Sequence, residues 1–192
     1  MDDVAFAAGR IAGPVRLAGH SAGGHLVTRM ICRDSPLEPV LQGRLEQVVS
    51  ISGLHDLRPL MKTAMNATLR LDAGEATFDG IGGDIKKEGV SELGYDRTPL
   101  AALLSTFEGA DEVEAGLADI HCPVLLLTSR EDHLIDAASG AAVEARAHGP
   151  VERVWLEDSY HVATLDNDAP EIESRVVAFA RAVLAGPSGA TA

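Results

Sequence analysis

Apolar and polar positions alternate in blocks along this chain, and the period of the blocks changes. Val15-Arg16-Leu17-Ala18-Gly19 and Gln47-Val48-Val49-Ser50-Ile51 are short apolar runs, each leading into glycine, serine and polar residues. Runs of this length bounded by turn residues predict strands. Cys122-Pro123-Val124-Leu125-Leu126-Leu127-Thr128-Ser129 is apolar almost throughout, the pattern of a strand buried on both faces of a parallel sheet. Over residues 151–157, Val154 and Leu156 alternate with Arg153, Trp155 and Glu157, which predicts a fourth strand.

Between the runs the spacing is helical. Asp2 or Asp3 caps a short helix to about residue 11, with Val4, Ala7, Ala8 and Ile11 on one face, and Gly13-Pro14 ends it. Leu26, Val27, Met30 and Ile31 predict a helix over 24–32, and a further helix is expected over 59–71. Asp136 opens a helix over 137–148 that Gly149-Pro150 stops, and Asp168 with Glu171 resembles a capping box for a last helix over 170–184. The alternation implies an α/β fold, with a mostly parallel sheet of about four strands flanked by helices in one domain, 1–184. Within it, 72–119 has a weaker pattern. Short helices are expected there at 100–107 and 113–120, Gly80-Ile81-Gly82-Gly83 reads as flexible linker, and the whole stretch is placed as a cap or lid over a pocket. Residues 185–192 are small and contain Gly, Ser and Pro, a flexible tail.

Composition narrows the classes. The 192 residues are 46% hydrophobic but only 4% aromatic, so the core is built from Ala, Leu, Val and Ile. A formal charge of -13 leaves little for a basic patch and argues against nucleic acid or an anionic membrane surface as partner. The two cysteines, Cys32 and Cys122, lack metal-type spacing and are expected as free thiols in a reducing compartment. No apolar run approaches the roughly 18 to 20 residues of a membrane span, and Met1-Asp2-Asp3 is acidic where a signal peptide needs basic charge, so a cytoplasmic location is expected.

The chemistry gathers where the strands end. Gly19-His20-Ser21-Ala22-Gly23 follows the first strand and precedes a helix, the setting of a nucleophile elbow, in which a strained turn holds a serine hydroxyl above the sheet. Gly19 and Gly23 supply neighbours without side chains, and the backbone N–H of Ala22 would be one oxyanion donor near a helix N-terminus. The third strand ends in Arg130-Glu131-Asp132-His133 and the fourth in Asp158-Ser159-Tyr160-His161. Ligands of open parallel sheets collect at strand carboxyl ends, so Ser21, His161 and Asp132 are the candidate nucleophile, base and orienting acid, with Asp56 an alternative acid. Taken one at a time, a Gly/Ser turn, a loop histidine and a capping aspartate are ordinary features; their joint placement after strands is not. His20 is expected to point away from the nucleophile and pack. His20 with His25 is too loose for zinc, and Asp166-Asn167-Asp168 lacks the glycine and glutamate of a calcium loop, so no metal or cofactor is expected.

These residues resemble α/β-hydrolase fold enzymes, in two parts. Leu17-Ala18-Gly19-His20-Ser21-Ala22-Gly23-Gly24-His25-Leu26 and Ser52-Gly53-Leu54-His55-Asp56-Leu57, over about 1–71, resemble kynurenine formamidase and related esterases. Gly83-Asp84-Ile85-Lys86-Lys87, Tyr95-Asp96-Arg97-Thr98-Pro99-Leu100, Ser129-Arg130-Glu131-Asp132-His133 and the stretch from Asp158 through His161 to Asp166 resemble bacterial carboxylesterases of the monoacylglycerol-lipase type, over about 79–184. Both likenesses imply Ser21, Asp132 and His161 as the triad, and the change near Ala73 points to a hybrid chain.

The resemblance implies a carboxylesterase or lipase acting on small-molecule acyl esters, with an arylformamidase as the enzymatic alternative. The other alternative is a non-catalytic hydrolase-fold fragment. One departure stands out: the family carries several strands before the elbow and an early His-Gly loop that gives a second oxyanion donor, whereas only one helix fits before Val15. A truncated α/β-hydrolase fold is therefore expected, with slow turnover, since one oxyanion donor is worth about 10²- to 10³-fold. Its elbow strand would lie at a sheet edge open to self-association.

Overall fold

The computed structural model describes residues 7, 9, 10, 12–24, 45–53, 69–72, 75–80 and 82–184. Most of the helices expected over 2–11, 24–32 and 59–71 lies outside them, as do Cys32, Asp56 and the tail. In chain order the described elements are strands β1 (Val15–His20), β2 (Leu45–Ile51), β3 (Leu69–Asp72), β4 (Glu75–Asp79) and β5 (Arg97–Pro99), then helix α1 (Leu100–Gly116). Strand β6 (Val124–Ser129), helix α2 (Ala138–Arg146), strand β7 (Val151–Leu156) and helix α3 (Ala169–Leu184) follow.

Four strands form one parallel sheet in the order β1-β2-β6-β7. The run of leucines in β6 is explained by its two faces. Leu125 and Leu127 join Val49, Ile51, Leu156 and Ile172 in one core, on the α3 side. Val124 and Leu126 join Val113, Leu117, Ile120 and Val143 in another, under α1 and α2. A strand covered on both sides buries residues of both faces, as β6 does at all but Thr128, and the period-two signal disappears from its sequence. On β7 the alternation survives: Val154 and Leu156 turn to the α3 core, while the Arg153 guanidinium lies 4.1 Å from the Trp155 ring and donates to the Ala137 carbonyl. Gln47 is buried in β2, with its amide donating to the Phe179 carbonyl of α3 and its oxygen accepting from Arg16.

The stretch expected as cap or lid has its own order. Strands β3, β4 and β5 form an antiparallel sheet, where the tail of the helix expected over 59–71 is instead extended, and the two short helices expected beyond it are one continuous α1 with a 3-10 turn at Leu117–Asp119. Leu103 and Ala110 of α1 pack with Ile135, just after the third strand end of the parallel sheet. In the glycine-rich stretch read as linker, two backbone groups are tied down: the Gly80 N–H donates to the Asp96 carbonyl and the Gly83 N–H to the Glu92 carboxylate. Nor does the capping box form. The Asp168 carboxylate accepts from the Asp158 N–H, and Glu171 pairs with Arg175 one turn on.

Candidate active site

The first strand end sets Ser21. Its φ is 53°, in the left-handed region that costs a non-glycine residue about 1–2 kcal/mol, and residues 22–24 turn straight into helix. The Ser21 N–H donates to the Ile51 carbonyl, tying the turn to β2. A side chain on Gly19 would meet the Gly23 carbonyl oxygen at 2.1 Å, so that position must be glycine. Among the described residues Gly24, just beyond the Gly23 of the motif, is tight as well. A Cβ on Gly24 would lie 2.8 Å from the Gly53 Cα, whereas a Cβ on Gly23 meets no described atom within 4 Å.

The third and fourth strand ends bring the other two candidates to the same place. His161 Nε2 lies 2.7 Å from Ser21 Oγ, and His161 Nδ1 lies 2.9 Å from Asp132 Oδ2. Because a carboxylate only accepts, Nδ1 carries the proton, which leaves Nε2 to accept from the serine hydroxyl. The side chains of His161 and Asp132 are 6% and 3% exposed. The other carboxylate oxygen of Asp132 accepts from the N–H groups of Leu134 and Ile135 at 2.9 and 2.7 Å, so the acid is fixed by its own loop. Ala22 is exposed beside Ser21 at the start of the helical turn.

Around these three the structure adds groups that the motifs do not reveal. His20 does not point away: its Nε2 donates to the His161 carbonyl at 2.8 Å, and the two rings are 5.1 Å apart. Burial pushes the His20 pKa below its usual value, against the raising effect of that hydrogen bond. Asp84 accepts from the N–H groups of His133 and His161 and from His133 Nδ1. Asp166 is fully buried, and its carboxylate accepts from the N–H groups of Lys86, Lys87, Tyr160 and Asn167. Burial opposes its charge, but the four donors prevail and hold its pKa below the ordinary carboxyl value. Lys86 Nζ reaches Asp158 and Glu131, both at 3.1 Å, which raises its pKa to about 12. Asp84 and Lys86 lie in the stretch Gly83-Asp84-Ile85-Lys86-Lys87, yet nothing local to them signals loops 45 to 80 residues away. Among the described residues no three His, Cys, Asp or Glu are arranged to hold a metal ion, and no helix is long and apolar enough to cross a membrane. Cys122 is a half-buried free thiol whose pKa burial raises.

Residues 1–173 match the Alpha/beta hydrolase family. The thermostable monoacylglycerol lipase of Bacillus sp. (strain H-257) is 39% identical over 103 residues, which is 53% of this chain and 41% of the lipase. Among solved structures, a chain from the metagenome-derived lipolytic enzymes LipS and LipT aligns with a TM-score of 0.73 and 32% identity, over 88% of this chain and 65% of its own. The monoacylglycerol lipase of Paleococcus ferrophilus shares the fold at a TM-score of 0.64 and 16% identity, over 92% of this chain and 70% of its own. This chain therefore spans less than two thirds of the length of the first two.

Proposed function

Since the chain belongs to the Alpha/beta hydrolase family, we propose that it is a serine hydrolase of the carboxylesterase or lipase type, acting on small carboxylic esters. The 2.7 Å approach of Ser21 Oγ to His161 Nε2, with Asp132 on the far side of the ring, is the observation that carries this reading. Ser21 Oγ attacks the acyl carbonyl carbon while its proton passes to His161 Nε2, and the Asp132 carboxylate stabilises the imidazolium so formed. Negative charge on the carbonyl oxygen falls toward the N–H of Ala22 and the positive end of the helix behind it. Collapse of the tetrahedral adduct breaks the ester C–O bond, and His161 returns the proton to the departing alcohol. Water then attacks the acyl-enzyme by the same route and frees the acid and Ser21.

Residues 72–119, with β4, β5 and α1, are assigned to the cap over this site; the contact of α1 with Ile135, three residues after Asp132, supports that assignment. Ester cleavage is preferred to N-formyl hydrolysis because two relatives, at 39% and 32% identity, are a monoacylglycerol lipase and a lipolytic enzyme. Parallel assays of p-nitrophenyl acyl esters and N-formylkynurenine, with Ser21→Ala as control, test both points. Ester hydrolysis lost in Ser21→Ala is expected. Turnover of N-formylkynurenine alone would replace the ester reading, and no turnover of either would favour a non-catalytic fold.

A further inference from the structure

Two ring contacts orient an imidazole only as well as the main chain beneath it is held. His161 follows β7 in a loop without a strand partner, yet both of its main-chain polar groups are taken by side chains from distant segments. Its N–H donates to Asp84 Oδ2 at 3.1 Å, 77 residues away, and its C=O accepts from His20 Nε2 at 2.8 Å, 141 residues away. The next N–H, that of Val162, donates to the Asp84 carbonyl at 3.0 Å.

We propose that Asp84 and His20 are positioning residues that clamp the peptide groups of His161 and so set its ring between Ser21 and Asp132. The proposal rests on the hydrolase reading of that trio. Asp84 serves both loops at once, because the same carboxylate accepts from the N–H of His133, the residue after Asp132, at 3.2 Å and from His133 Nδ1 at 2.7 Å. Its side chain is only 14% exposed and its bond to the His161 N–H is partly buried, where a charged acceptor is strong. The segment behind it is itself fixed, through the Lys86 and Lys87 N–H groups on Asp166 and through Lys86 Nζ on Glu131 and Asp158. His20 is covalently next to the nucleophile, so its bond to the His161 carbonyl ties the serine turn to the histidine loop without touching a reacting atom.

The test compares Asp84→Ala and His20→Leu with Asp84→Asn and His20→Gln in the full chain, reading kcat and KM on a p-nitrophenyl ester, melting temperature, and the low-field proton resonance of His161 Nδ1. Asp84→Ala and His20→Leu are expected to lower kcat by up to about 10²-fold, with KM within about twofold, and to broaden the resonance. Asp84→Asn keeps an acceptor for the His161 N–H and His20→Gln keeps a donor for its C=O, so each should recover most of both signals. If Asp84→Ala does not fold, the His20 pair carries the comparison. Unchanged kcat and an unchanged resonance in the truncating variants would overturn the clamp, whatever their melting temperatures. Wild type without turnover but with a resonance that the truncations broaden would support the clamp while removing the hydrolase reading.

Discussion

The serine side and the histidine side of the site are held by different means. Ser21 is placed by its immediate neighbours: a strand before it, a helical turn after it, a left-handed φ of 53° and a glycine two residues back whose Cβ would strike main chain. His161 is placed from afar, by His20, Asp84 and Asp132, in a loop that the buried Asp166 also grips. Steric constraint defines the first and polar satisfaction the second. Substitution on the first side should therefore open the turn, and on the second misorient the ring.

The largest effect expected on the histidine side is in Asp132→Asn, which can leave the geometry intact while favouring the wrong imidazole tautomer. Ester turnover should fall by about 10⁴-fold with little change in the circular dichroism spectrum. A loss under tenfold would mean that another carboxylate orients the ring.

Gly19→Ala tests the serine side. Its methyl group would have to displace the Gly23 carbonyl, met at 2.1 Å, so the turn must open. Labelling of Ser21 by a fluorophosphonate probe should disappear and stability drop by about 2–4 kcal/mol in denaturant titration. Gly23→Ala, with no described atom within 4 Å, should keep most of the labelling; equal losses in the two variants would contradict the local account of the elbow.

Asp166→Ala removes a buried carboxylate from four N–H groups, and a loss of about 3 kcal/mol is expected because buried donors are left unpaired. With its pKa held low, Asp166 contributes stability that is present above the unfolded carboxyl pKa and lost as pH falls through the folded value. His20 acts at milder acidity. Burial lowers its pKa below 6.5, so the unfolded chain takes up the proton first, and stability declines as pH falls from about 6.5 toward the folded value. The groups acting on it, in order of effect, are the main chain of His161, the His161 ring, Asp132 and Glu92. In His20→Gln the slope of melting temperature between about pH 6.5 and 5 should flatten; an unchanged slope would assign the acid sensitivity elsewhere.

The smallest effect is expected at the exposed pair Arg175 and Glu171, 2.7 Å apart on one turn of α3. Arg175→Ala should change stability by less than about 0.5 kcal/mol, which separates surface pairing from the buried contacts of Asp166.

The same contrast explains what was legible in the sequence. The four parallel strands were, because β1, β2, β6 and β7 are short apolar runs ending in polar loops, and the run of leucines in β6 reports its two covered faces directly. Ser21, Asp132 and His161 could be singled out because each follows a strand. His20 could not be placed from its neighbours: the elbow motif says where the serine points, while His20 turns toward a carbonyl 141 residues away. Asp84 sits next to glycines that read as linker, and its role emerges only when 133 and 161 are brought to it. The capping box at Asp168 and Glu171 failed for a related reason, since the N–H of Asp158, ten residues back in the preceding loop, took the same carboxylate.

Labelling of the purified chain with a fluorophosphonate, read by intact mass and peptide mapping, goes to the centre of this description. One adduct on Ser21, formed rapidly in wild type and abolished in both Ser21→Ala and His161→Ala, is the expected result. A folded wild type that stays unlabelled, or an adduct whose rate is indifferent to His161→Ala, would contradict an activated serine at this site.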